Sequence, residues 1–112
     1  MAKPLSSFAQ YCADILSQFG TIRISAMFGG YGVYKDGVII GIIDDDELYF
    51  KKMPENEPLF EAYDNHPFTY DKEGKTMTLS YQSVSEEVLN NSEQLEILVM
   101  ATYNASLQRK KK

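Results

Sequence analysis

The stretch Val33-Tyr34-Lys35-Asp36-Gly37-Val38-Ile39-Ile40-Gly41-Ile42-Ile43-Asp44-Asp45-Asp46-Glu47-Leu48-Tyr49-Phe50 decides the fold. From Val33 to Ile43 it is dominated by β-branched and aromatic residues, which suit a pleated, half-buried surface. Lys35-Asp36-Gly37 breaks the run, and Asp-Gly accepts the positive φ angles of a type I′ turn, so a hairpin is predicted there. Asp44-Asp45-Asp46 marks a second turn. Between the two, Val38–Ile43 is apolar on both faces, as a central strand is, while Lys51 and Lys52 suit a solvated end to the following strand. Upstream, Ile22, Ile24 and Ala26 alternate with polar residues and carry the first strand back to Thr21. Three antiparallel strands are therefore expected over residues 21–53.

Outside this stretch the period changes. Phe8, Cys12, Ile15, Leu16 and Phe19 recur at helical spacing between Pro4 and Phe19, with Ser7 and Gln10 as a capping box and Gly20 as the terminator. Asn56–Asn65 reads as a short helix with Asn56 as its cap and Pro58 in its first turn. Phe68 and Tyr70, a turn at Asp71–Gly74, and then Met77, Leu79 and Tyr81 form a second strand pair. Ser83–Asn90 reads as a helical turn, and Ser92 to Gln108 as a longer helix lined by Leu95, Leu98, Val99 and Thr102. The order is α-β-β-β-α-β-β-α. Helices are missing between most strands, which excludes a doubly wound sheet. The expectation is an α+β, two-layer domain with a mainly antiparallel sheet and helices packed on one face.

With 112 residues, 44% of them hydrophobic, the chain suits one domain, 1–112, able to bury a core. The net charge is −5, and because Arg109–Lys112 are all cationic, the preceding body carries −9. Such a body repels nucleic acid and leaves only the basic tail, 109–112, to attract it. A single cysteine, Cys12, makes no internal disulfide and argues for a reducing, cytoplasmic compartment. No apolar run reaches the roughly 20 residues that a spanning helix needs, so no membrane role is expected.

The candidate sites are few. Gly29-Gly30-Tyr31-Gly32 is glycine-rich like a phosphate loop, but strand rather than helix follows it, so a bulge or bend is the better reading. Counting from Asp44 as the first position of a calcium loop puts Tyr49 where glycine is required, although Glu55 matches the last; an acidic turn is expected, and no metal. His66 is the only histidine, and no cysteine or carboxylate cluster accompanies it at metal-ligand spacing, so a loop histidine before Pro67 is the default. Cys12 lies on the apolar stripe of the first helix, where it packs rather than reacts. No cofactor or catalytic residue is assigned. Tyr31, Tyr34, Tyr49, Tyr70 and Tyr81 fall in strands, where tyrosine suits a core edge or a protein interface.

The segment Ala26-Met27-Phe28-Gly29-Gly30-Tyr31-Gly32-Val33-Tyr34-Lys35-Asp36-Gly37 resembles the N-terminal domain of the TfoX/Sxy family. Asp45–Lys51 and Pro67-Phe68-Thr69-Tyr70 follow in the same order, and Met77–Tyr81 and Glu86–Leu89 support the register. The resemblance covers nearly the whole chain. It implies a secretion-chaperone-like α+β fold and a regulator of natural competence and DNA transformation, acting as a transcriptional coactivator with the cyclic-AMP receptor protein. Full-length members carry a second, helical C-terminal domain, so a stand-alone version of the first domain is expected here. No catalytic motif comes with the resemblance.

The leading expectation is thus a non-enzymatic protein-interaction module, an adaptor for transcription machinery or the cyclic-AMP receptor protein. Its candidate surface comprises Met27, Phe28, Gly29, Gly30, Tyr31 and Tyr34, together with a sheet edge. The alternative is direct, weak nucleic-acid binding through Arg109, Lys110, Lys111 and Lys112 with exposed tyrosines. A small enzyme centred on His66 stands third and needs carboxylates gathered around that ring. Homodimerisation through a sheet edge is a further expectation, with the edge unspecified.

Overall fold

A computed structural model describes residues 6–27 and 30–110. Helix α1 (Ser7–Leu16) runs through a 3-10 turn at Ser17–Phe19 into strand β1 (Ile22–Met27), followed by β2 (Gly30–Lys35), β3 (Val38–Asp44) and β4 (Glu47–Lys51). A short α2 (Glu57–Phe60) leads to β5 (Pro67–Lys72) and β6 (Lys75–Ser83), and the described chain closes with α3 (Glu86–Leu89) and α4 (Ser92–Lys110). The six strands form one antiparallel sheet in the order β1-β2-β3-β4-β6-β5. The α+β class and the antiparallel sheet are as the sequence predicts.

The strand count differs. The first expected strand is two strands, because Met27 pairs antiparallel with Gly30; Phe28 and Gly29 lie outside the described residues. In sequence the two halves run on as one β-prone stretch, the core-facing residues switching from Ile22 and Ile24 to Tyr31 and Val33, and the pairing of the halves on each other makes them separate strands. Glycine is required at the reversal for a steric reason: a Cβ on Gly30 would overlap the Ile43 carbonyl oxygen.

The predicted turns form with the expected handedness. Asp36 and Gly37 take φ values of 48° and 85°, and Asp45 and Asp46 take 50° and 59°, the left-handed pairs that let a two-residue loop follow the strand twist. In the last hairpin the loop is Glu73-Gly74, at the end of the turn expected from Asp71. Other local details shift by a residue or more. The α1 cap is Ser6, whose hydroxyl accepts the Ala9 N–H at 3.1 Å, rather than Ser7. Gly20 ends the segment at φ 146° only after the extra 3-10 turn. The helix expected from Asn56 to Asn65 is confined to Glu57–Phe60, and Asn56 makes no cap bond because its side chain points into the protein. Ser83 belongs to β6, and Ser85 caps α3.

Parity along the strands sorts the two faces. Val33, Ile43, Leu48 and Phe50 join Ala9, Cys12 and Leu16 of α1 and Leu95, Leu98 and Val99 of α4 in one core. Burying these side chains is the main stabilising contribution, about 1.5–3 kcal/mol for each large one. Ile40 is fully buried through a bulge: the register passes from Tyr34 opposite Ile39 to Val33 opposite Gly41 and leaves Ile40 extra. This bulge helps explain why β3 reads as apolar on both faces. The opposite face carries Tyr34, Ile42, Tyr49 and Tyr81, and no helix covers it among the described residues.

Candidate functional site

The helix-free face is built by a short β4 and a long hairpin beyond it. Ile42 and Tyr49 are directly opposed in register. Phe68 lies edge-on to Tyr49 with ring centroids 5.2 Å apart and stacks on Tyr70 at 6.2 Å. Phe68 pairs with Leu79 and Tyr70 with Met77, so one side of the β5–β6 hairpin is apolar and its other side carries Thr69 opposite Thr78. Tyr70, Met77 and Leu79 remain about two-fifths exposed. The result is a groove of about 740 Å³ between the Gly30–Tyr31 and Ile42–Asp44 ends of the sheet and Phe68, Tyr70, Lys72 and Leu79 of the hairpin. Its walls are aromatic and aliphatic, with Asp44 on one side and Lys72 on the other, a common composition for recognition surfaces.

The sequence-expected surface meets this groove only in part. Gly30 and Tyr31 line it. Tyr31 is otherwise packed against the core, and its hydroxyl accepts the Ser6 N–H at 3.1 Å. Tyr34 shares the helix-free face with Ile42 but stands outside the groove lining, half-buried beneath Arg23, whose guanidinium sits 4.4 Å from the ring centre. Met27 pairs with Gly30 as the last residue of β1, and Phe28 and Gly29 lie outside the described residues. Ile42, Phe68, Tyr70 and Leu79 complete the groove. The signal that could have found them is the alternation of Phe68, Tyr70, Met77, Leu79 and Tyr81, an apolar side on a strand pair for which no helix remains as cover.

His66 is not isolated. Its Nε2 lies 3.1 Å from Glu47 Oε2 and 3.3 Å from the Tyr49 hydroxyl, and its Nδ1 lies 3.4 Å from Ser83 Oγ. The three partners come from β4 and β6, which the register places beside the start of β5. Ser83 is 4% exposed, and its Oγ accepts the His66 backbone N–H at 2.9 Å. A nucleophilic serine instead presents its hydroxyl to substrate. The cluster thus fastens the β5 entry to the sheet. Burial raises the Tyr49 hydroxyl to about 12, with Glu47, Asp44 and Asp45 adding negative charge around it.

The remaining candidates are structural in their surroundings. Cys12 is wholly buried, and desolvation pushes its thiol up to about 12. No group of three or more potential metal-ligating side chains gathers among the described residues. Arg109 donates to both Glu55 oxygens, at 2.8 and 3.0 Å, a bidentate pair that occupies the guanidinium. Lys110 ends α4, and Lys111 and Lys112 lie outside the described residues. No described helix is long and apolar enough to cross a membrane.

The family-wide sequence profile of the TfoX N-terminal domain matches residues 14–106, from the last turn of α1 to near the end of α4. The chain belongs to the TfoX N-terminal domain family. It is also similar to Protein Sxy of Escherichia coli (strain K12), 27% identical over 99 residues. That alignment covers 88% of this chain and 46% of Sxy, so this TfoX N-terminal domain spans about half the length of the curated relative it matches. The groove and the His66 cluster both fall inside the segment that matches the TfoX profile.

Proposed function

We propose that this TfoX N-terminal domain is a non-enzymatic interaction module of a competence-type regulator, binding a protein partner through its helix-free sheet face. The observation that supports the reading is the open, aromatic-lined groove beside Gly30 and Tyr31, which a partner's apolar side chain would fill. Asp44 on its wall, with Asp45, Asp46 and Glu47 following, favours a partner with a cation beside that apolar anchor. Competence regulation suggests transcription machinery, and the cyclic-AMP receptor protein in particular, as the partner class. The buried, hydrogen-bonded Ser83 supports reading the His66 cluster as structural rather than catalytic. Direct nucleic-acid binding through the tail is disfavoured by the acidic body and by the engagement of Arg109 with Glu55.

The test is a nuclease-treated pull-down from an extract of the source organism with wild-type protein and Leu79→Glu, followed by titration of the purified cyclic-AMP receptor protein. Leu79 is 39% exposed, so the charge is tolerated by the fold and placed in the groove. The expected result is recovery of that receptor or an RNA polymerase subunit by wild type, with at least tenfold weaker binding by the variant. Recovery that Leu79→Glu leaves intact, or that nuclease abolishes, overturns the reading.

A further inference from the structure

The β5 strand ends the sheet, and among the described residues nothing pairs with its outer side. Its hydrogen-bonding parity follows from the hairpin. The two-residue Glu73-Gly74 loop closes on Lys72 opposite Lys75, and in such a hairpin that pair exchanges both main-chain bonds. Phe68, Tyr70 and Lys72 therefore direct N–H and C=O towards β6. Thr69 and Asp71 direct theirs outwards, where they lack a strand.

A strand that pairs with its own copy about a two-fold axis must set outward-directed residues opposite one another. That requires the axis to pass through a residue rather than between two. An axis at Asp71 places two carboxylate residues face to face, which is repulsive. An axis at Thr69 sets Asp71 against Pro67, which has no N–H and lies across the register break between Pro67 and Phe68. An axis at Tyr70 uses the whole regular stretch Phe68–Lys72. Thr69 then exchanges two main-chain bonds with Asp71 of the second copy, and symmetry makes four. Lys72 comes opposite Phe68 of the second copy, where its stem and cation suit the ring, and no like charges are opposed.

We propose that two copies of this chain associate antiparallel through the outer edges of β5, with the two-fold axis at Tyr70. Tyr70 faces its own copy in a pair without mutual main-chain bonds, the spacing that brings side chains closest. Tyr70, Met77 and Leu79, three of the exposed large hydrophobic residues, lie on one side of the hairpin, and pairing joins two such surfaces across the axis. The six-stranded sheet becomes twelve-stranded. A short strand edge makes a small interface, so the dimer is micromolar rather than nanomolar, and it sets Phe68, Tyr70 and Lys72 of the groove wall beside the axis.

Sedimentation velocity over a wide concentration range tests the proposal. Wild type is expected to move from monomer to dimer, and Thr69→Pro, which removes an outward N–H that the monomer does not use, is expected to stay monomeric with unchanged circular dichroism. In a Cys12→Ala background, Tyr70→Cys is expected to form a disulfide-linked dimer under mild oxidation, and Met77→Cys, one strand further from the axis, to cross-link at least tenfold less. A wild type that is monomeric throughout, a Thr69→Pro variant that still dimerises, or equal cross-linking at both positions overturns it.

Discussion

The Asn56 side chain, completely buried, donates from Nδ2 to the Thr102 hydroxyl at 2.8 Å and so ties the crossover after β4 to the last helix. The same amide donates to the Lys51 carbonyl at 2.8 Å, and its Oδ1 accepts the Met53 N–H at 2.7 Å. Asn56→Ala leaves buried polar partners unmatched and is expected to cost about 2–4 kcal/mol. Thr102→Val removes one acceptor and is expected to cost about 1–2 kcal/mol. Urea unfolding with an unchanged m value measures both, and a loss below about 0.5 kcal/mol for Asn56→Ala would show that the tie contributes nothing.

Gly41 has no room for a side chain. A Cβ there would overlap the Tyr49 carbonyl oxygen and stand 2.9 Å from Phe50 Cδ1, whereas a Cβ on Gly37 meets nothing within 4 Å. Gly41→Ala must displace main chain in β4 and is expected to cost about 3 kcal/mol or lead to insoluble protein. Gly37→Ala meets only its positive φ, a strain of about 1 kcal/mol. Thermal melts of the two variants side by side would reveal the ranking, and equal melting temperatures would refute it.

Alkali should unfold the domain by a defined route. Burial raises the Cys12 thiol from 9.0 to about 12, and the Tyr49 hydroxyl rises from 10.0 to about 12; burial also raises Tyr63 and Tyr81. Each holds its proton more tightly folded than unfolded. Its contribution is therefore fully present below the unfolded value and is lost as pH rises towards the folded one. The urea midpoint is expected to stay level through these groups up to about pH 9 and to fall between pH 9 and 12. In Cys12→Ala the fall should begin about one pH unit later, when the tyrosines take over. An unchanged onset in that variant would remove Cys12 from the account.

Lys35 is buried to 4% exposure, with Nζ 2.9 Å from Asp36 Oδ2 and 4.1 Å from the centre of the Tyr103 ring. The hydrogen bond from Lys35 is also the largest influence holding the Asp36 carboxyl below its usual range. Lys35→Met keeps the stem and loses the charge, so about 1 kcal/mol is expected to go; Lys35→Ala loses the packing as well, about 2–3 kcal/mol. Equal losses in chemical denaturation would mean that the ammonium, not the stem, carries the effect.

Much of the fold was legible because its signals are local. The β-branched and aromatic enrichment of Val33–Ile43, Asp36-Gly37 at a position needing positive φ, and the apolar stripes of α1 and α4 each arise within a few residues. The candidate site was legible only in fragments. Gly30 and Tyr31 line the groove, but Tyr31 turns towards the core while Tyr34 lies on the helix-free face outside the groove lining, because three residues along a strand reverse the side. His66 appeared alone because Glu47 and Ser83 lie 19 and 17 residues away in sequence.

The sequence by itself determined the α+β class, the turns and which side chains seek the core, since propensity and periodicity act through neighbours along the chain. Only the tertiary structure decided that Ile22–Met27 and Gly30–Lys35 are separate strands, that Asn56 is buried instead of capping a helix, and that β5 ends the sheet beside an open apolar groove. Those outcomes depend on which distant strand supplies the other half of each hydrogen-bond ladder, and that choice is made by packing the whole chain at once.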